Sequence, residues 1–227
     1  MKCYIIRLEE NQQSCDMAKD CFDQATKFGQ NPTYFKAVNG LLADQYYKEH
    51  GIKRARKFKK GRPGVIGCFF SHYLLWKMCA EQNESFLILE HDGYMLSHIP
   101  DFIEDTFEDI LKLDNCDPYS KSYNQDVDAE IDLVRVIKYN NPGPKSIWIK
   151  EYGDMGDYCR GAYSYIIKPH AAQKLIDFVE KYGHLPADQQ LNKSIVDLKV
   201  TIPTLARLHP FYSWGDNIRT ASLTRNE

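Results

Sequence analysis

Phe86 to Gly93 reads F-L-I-L-E-H-D-G, four apolar residues followed at once by two carboxylates, Glu90 and Asp92, with one residue between them. A short continuous apolar run predicts a strand buried on both faces, as in an α/β sheet. Carboxylates at the carboxyl end of such a strand lie where open α/β sheets keep their ligand crevice. Two oxygen ligands so spaced can clasp a hard divalent cation while its other positions stay free for phosphate oxygens.

The residues on either side fit the same class of fold. Cys3 to Leu8 reads as a first strand with Arg7 and Glu9 at its polar exit. Residues 14 to 28 carry Met17, Ala18, Cys21, Phe22 and Ala25 at helical spacing, and Thr33 to Val38 reads as a second strand closed by Asn39-Gly40. This β-α-β opening predicts a parallel sheet with a nucleotide-type crevice. In G-C-F-F-S-H-Y-L-L-W-K, Ser71 is a candidate N-cap, with Leu74, Leu75, Met78 and Cys79 as the apolar face of a helix. His72 then falls in a first helical turn beside free backbone N–H groups, either as a structural hydrogen-bonding residue or as a catalytic one.

Further along, Phe102, Ile103, Phe107, Ile110 and Leu111 are spaced as an amphipathic helix, and residues 114 to 128 are polar. Leu133 to Ile137, Ile147 to Ile149 and Gly161 to Lys168 read as strands. Pro169 opens a helix with Ala172, Leu175, Ile176 and Val179 on one face, closed by Gly183. The tail from Pro203 holds His209, Tyr212, Trp214 and Arg219 without a clear period.

Composition bounds the partners. A chain of 227 residues with 43% hydrophobic and 26% charged residues suits one large α/β domain, 1–227. A net charge of −2 argues against a nucleic-acid partner. The 15 tyrosines suit a polar cleft that stacks on flat ligands, as well as a large core. The start M-K-C-Y-I-I-R-L lacks the form of a signal peptide, and no run reaches a membrane-spanning length. Seven cysteines without C-x-x-C pairs predict reduced thiols and a cytoplasmic setting. Lys53 to Arg62 holds seven basic residues and no acid, which Gly61, Pro63 and Gly64 mark as a loop at about 53–64. That loop is either a solvated surface or the seat of an anionic partner: a diphosphate, a phosphorylated acceptor or a membrane surface.

These pieces occur in the order of a known family. The chain resembles the glycosyltransferases of family 25, which include bacterial lipooligosaccharide and collagen galactosyltransferases. Y-I-I-R-L-E-E-N resembles the family's opening strand and turn, F-K-A-V-N-G (35–40) its aromatic-x-A-V-x-G segment, and Gly67, Cys68, Ser71, His72, Leu75 and Trp76 its G-C-x-x-S-H box. Leu89 to Asp92 resembles its L-E-D-D box, with His91 in place of the middle acid. Arg160 to Leu175 resembles its G-x-x-A-Y-x-I segment, and Pro186, Asp188 and Leu191 its P-x-D-x-x-L.

The resemblance implies a single GT-A-like Rossmann-type domain with a mixed, mostly parallel sheet flanked by helices, and a C-terminal tail (about 203–227) lining the site. It implies a UDP-sugar donor, Mn²⁺ or Mg²⁺, a saccharide or glycan acceptor and inverting transfer of galactose or glucose. Asp92 is then the metal ligand, with Glu90 on metal, ribose or a structural partner and His209 as a further candidate ligand. Asp188 is the candidate general base or else a helix N-cap, with Asp157 and Asp154 in reserve. Arg7, Ser71, His72, Glu90, Arg160 and Gly161 fall to the donor side, Gly161 by allowing close backbone approach. Two other readings compete. His91 in place of an acid leaves open an inert nucleotide-sugar or glycan recognition module. A phosphate-transferring enzyme is weaker, because no G-x-x-x-x-G-K-S loop is present.

Overall fold

The computed structural model describes residues 1–53, 63–114, 135–138, 148–149, 153–154 and 161–209. Strand β1 (Lys2–Arg7), helix α1 (Gln12–Lys27) and strand β2 (Pro32–Lys36) form the expected β-α-β unit, with β1 and β2 parallel. The Asn11 side chain caps α1 by accepting from the Ser14 N–H at 2.8 Å. Helix α2 (Ala43–His50) and helix α3 (Pro63–Gln82) follow, and α3 leads into β3 (Phe86–Glu90), parallel to β1 on its other side.

The remaining strands are β4 (Gly93–Met95), β5 (Ile110–Lys112), β6 (Arg135–Lys138), β7 (Trp148–Ile149), β8 (Gly153–Asp154), β9 (Ser164–Ile167), β10 (Leu198–Ile202) and β11 (Ala206–Leu208). Helix α4 (Pro169–Tyr182) and the single turn α5 (Ala187–Gln190) lie between β9 and β10. The main sheet has the order β2-β1-β3-β9-β5-β10-β6. Strands β2, β1, β3, β5 and β10 run one way and β9 and β6 the other, which is the mixed, mostly parallel α/β sheet expected.

Strand alternation divides the core into two layers. Phe86, Ile88, Ile110, Tyr165 and Ile167 pack with the apolar faces of α3 and α4, whereas Leu87, Leu89, Leu111 and Ile166 pack with α1. All four apolar residues of β3 are fully buried, as the opening stretch predicts.

Two expectations are corrected. Residues 102–111 are not a helix: a 3₁₀ turn, Asp101–Asp105, precedes strand β5. Ile103, Phe107 and Leu111 do share one core layer, so their spacing imitates a helical face, but Ile110 points into the other layer. The buried Asp109 carboxylate fixes the strand's start. It accepts from Lys174 Nζ at 2.7 and 2.8 Å and from the Asp197 N–H at 2.7 Å, and it pairs with His170 at 2.8 Å.

Ser71 is not an N-cap. Helix α3 begins two turns earlier at Pro63, which occupies the first helical position, so Ser71 and His72 are buried mid-helix and the argument from free N–H groups at His72 falls. Gly67 is what allows this helix to run so close to the end of β2, because a Cβ there would lie 2.5 Å from the Val38 carbonyl oxygen. The basic residues Arg54 to Arg62 and the tail beyond His209 lie outside the described residues.

Candidate functional site

The exits of β1, β2 and β3 and the first turns of α3 enclose an open cleft of about 650 Å³, solvent included. Val38, Gly40, Gly67, Ser71, His72 and Glu90 are among the residues lining it. Ser71 builds its wall: the hydroxyl donates to the Gly67 carbonyl at 2.7 Å and accepts from the Val38 N–H at 2.8 Å.

Glu90, the last residue of β3, donates its backbone N–H to the Tyr163 carbonyl at 3.0 Å. One carboxylate oxygen, Oε1, lies 3.0 Å from His72 Nε2 and accepts from the Cys68 thiol at 3.6 Å. The other ring nitrogen, Nδ1, is 2.8 Å from the Tyr165 hydroxyl, which also accepts from Trp76 Nε1–H at 2.9 Å. A single proton order satisfies this chain: Trp76 donates to Tyr165, Tyr165 to His72 Nδ1, and His72 Nε2–H to Glu90. Burial would raise the Glu90 pKa, but the hydrogen bond from His72, helped by His91, holds it below the ordinary value.

Asp92 has the opposite environment. Burial, with the charge of Glu90 adding to it and His91 opposing, pushes its pKa up to about 6. Its Oδ1 is buried and has no hydrogen-bond partner among the described residues. Two neighbouring carboxylates are thus set apart, one ionised against an imidazole and one poised near neutrality.

The C-terminal segment returns to this place through β11, which pairs antiparallel with β4. His209 N–H donates to the Asp92 carbonyl at 2.7 Å, so the backbone of His209 adjoins the acidic box. Its ring goes elsewhere: Nε2 is 3.2 Å from Asp20 Oδ2, and the ring stands edge-on to Tyr94.

Asp188 lies in the first turn of α5, whose cap residue is Pro186. Burial raises its pKa and the charge of Glu90 adds to this, while Lys112 and the Gln189 and Gly161 backbone N–H groups oppose. Gly161 has φ +75°, where L side chains are strained, and a Cβ there would lie 2.7 Å from the Tyr163 ring.

Of the expected residues, Ser71, His72, Glu90, Asp92, Gly161 and Asp188 are gathered around the exit of β3 and the start of β9. Arg7 is not among them. It stacks 4.0 Å over the Tyr34 ring and pairs with Glu9 at 3.4 Å, on the α1 side of the sheet, because neighbours in a strand face opposite ways. Asp157 and Arg160 lie outside the described residues.

Sequence reasoning gave no role to Cys68, Tyr165, Lys112, Asp114 or Tyr163. Lys112 and Asp114 are fully buried and paired at 3.2 Å, and the Tyr163 hydroxyl donates to Asp114 at 2.7 Å. The signal for the pair was a second apolar run ending in an acid, I-L-K-L-D at 110–114.

The sequence profile of Glycosyltransferase family 25 (LPS biosynthesis protein) matches residues 1–191. A glycosyltransferase 25 family member of Aedes aegypti is 25% identical over 97% of this chain and 33% of its own length. Procollagen galactosyltransferase 1-B of Xenopus laevis is 27% identical over 82% of the chain and 28% of its own length. The chain thus spans about a third of the length of these relatives. Among solved structures, apo mouse xyloside xylosyltransferase 1 is similar at a TM-score of 0.42 and 12% identity, over 84% of this chain and 80% of that one. A profile match over residues 1–191 of 227 covers far more than half the sequence, and the chain belongs to glycosyltransferase family 25.

Proposed function

We propose that the chain acts as one domain that transfers a hexose, galactose or glucose, from a UDP-sugar to a saccharide or glycan acceptor with inversion. The observation that carries this reading is Asp92: a carboxylate that directly follows the cleft-lining Glu90 and His91, with a buried oxygen that has no hydrogen-bond partner among the described residues. Such an oxygen suits a hard divalent cation, Mn²⁺ or Mg²⁺. When bound, that cation supplies charge neutralisation of the departing diphosphate.

The protein's own residues do the rest. Glu90, fixed by His72, Tyr165 and Trp76, orients the strand exit toward the donor rather than sharing the cation. Asp188 is the base, its basicity raised by burial, with the Gly161 N–H orienting the carboxylate. The acceptor oxygen attacks the anomeric carbon, and the bond from that carbon to the diphosphate oxygen breaks with its electron pair leaving on UDP. The acceptor's proton passes to Asp188. Galactose is supported by the name of the Xenopus relative. Among the described residues no helix is long and apolar enough to cross a membrane.

The test is release of nucleoside diphosphate from a panel of nucleotide sugars with Mn²⁺, Mg²⁺ or EDTA, and with Asp92→Asn as control. Metal-dependent release from one donor, lost in the variant, is expected. Absence of both release and donor binding across the panel would overturn the reading. Binding without release, with glycan acceptors supplied, would favour a recognition module.

A further inference from the structure

Cys68 and His72 stand four residues apart on α3, a spacing that places two side chains on one helical face, and Glu90 meets them from the end of β3. The thiol sulfur, the imidazole nitrogen and a carboxylate oxygen lie within 4.8 Å of one another. All three residues line the open cleft, which gives an ion a way in and leaves a coordination position facing solvent.

We propose that Cys68, His72 and Glu90 form a Zn²⁺ site of three protein ligands with one open position, separate from the cation position at Asp92. Geometry and donor chemistry both point there. With ordinary zinc–ligand bond lengths, a tetrahedral site separates a thiolate sulfur from a carboxylate oxygen by about 3.6 Å and an imidazole nitrogen from that oxygen by about 3.4 Å. The structure has Cys68 Sγ 3.6 Å and His72 Nε2 3.0 Å from Glu90 Oε1. Two of the three separations are thus close to those of a tetrahedral site, and the third, between the sulfur and the imidazole nitrogen, lies within 4.8 Å.

A thiolate, a carboxylate and a neutral imidazole balance the ion's charge, and sulfur with nitrogen selects Zn²⁺ over Mg²⁺ or Mn²⁺. Asp92 offers oxygen alone, which selects the reverse. On binding, the Cys68 thiol proton leaves to solvent as the Zn–S bond forms. The His72 ring stays neutral, its proton moving from Nε2 to Nδ1; the Tyr165 O–H, which had donated there, turns away and the Tyr165 oxygen 2.8 Å away accepts the Nδ1–H instead. That is the outer hydrogen bond that metal-bound imidazoles ordinarily make.

The experiment is calorimetric titration of the reduced full chain with Zn²⁺ in excess Mg²⁺, paired with Co²⁺ absorption as a report on sulfur ligation. The expected result is one saturable equivalent with thiolate-to-cobalt charge transfer. Cys68→Ser should weaken binding about tenfold or more and abolish that absorption, while Cys15→Ser and Asp92→Asn keep both. Matched thermal melts show that Cys68→Ser is folded, and His72→Gln is a second ligand variant. No saturable Zn²⁺ binding would overturn the site, as would binding indifferent to Cys68→Ser or lost in Asp92→Asn. None of these readouts depends on transferase activity.

Discussion

Strands β3 and β5 lie on either side of β9, and each is an apolar run that ends in acids. Their exits have been completed in different ways. At β5, Asp114 is fully buried, and Lys112 and the Tyr163 hydroxyl answer its charge from within the protein. At β3, His72 answers only Glu90, and the buried Asp92 Oδ1, next along the chain from the cleft-lining His91, has no hydrogen-bond partner among the described residues. The Asp114 Oδ1 also lacks a hydrogen bond but has the Lys112 ammonium 3.2 Å away. Burial raises the pKa of Asp92 and of Asp114 alike, so desolvation does not separate them. What separates them is whether the fold supplies the cation, and a carboxylate left without one is where a ligand cation gains most.

The sharpest way to break this contrast is Asp92→Asn. Transfer should fall by about 10³-fold, as when a group that stabilises developing charge is removed. Stability at neutral pH should not fall with it. Asp92 titrates at about 6 in the fold against 3.8 ordinarily, so its contribution is fully present below pH 3.8 and lost as pH rises through 6. Removing the charge should therefore leave the metal-free protein as stable or more so at pH 7, read by chemical denaturation.

The reciprocal change is Lys112→Met, which leaves Asp114 buried without its cation. Destabilisation of about 3 kcal/mol is expected in a urea titration, and an equally stable variant would show that Asp114 needs no internal partner. A third test uses proton competition: Mn²⁺ affinity should drop about tenfold for each pH unit below 6, and a flat profile would remove Asp92 from the site. The smallest effect is expected of Tyr165→Phe. It removes the donor to His72 and the acceptor of Trp76 Nε1–H, for about 1 kcal/mol of stability.

The difference between these strands also shows how far the sequence could be read. Phe86 to Asp92 was legible because four consecutive apolar residues admit few readings, and the acids that follow can only lie at the strand's exit. Residues 103 to 111 were not, because Asp109 makes a strand of Ile110 through contacts with His170, Lys174 and Asp197, all far along the chain. Ser71 was misjudged for a similar reason. Its hydroxyl serves the Val38 N–H, 33 residues earlier, and no local pattern reports such a bond. Asp188, Gly161 and His72 were legible as candidates for one site, and the structure brings them to one end of the sheet, but their partners Tyr165, Trp76 and Lys112 read only as ordinary core or surface residues. Arg7 shows the converse: a charge at a strand exit faces the cleft or its opposite according to register alone.

Strand β9 runs against both neighbours, and Tyr163, just before it, and Tyr165 within it project to the same side. Tyr165 reaches His72 beside β3, and Tyr163 reaches Asp114 beyond β5. A slip of β9 by one residue would turn both rings to the opposite layer and put Ser164 and Ile166 in their place. The two charged stations are therefore gauged by one strand, and a chain that has seated β9 correctly at one of them has aligned the other in the same act.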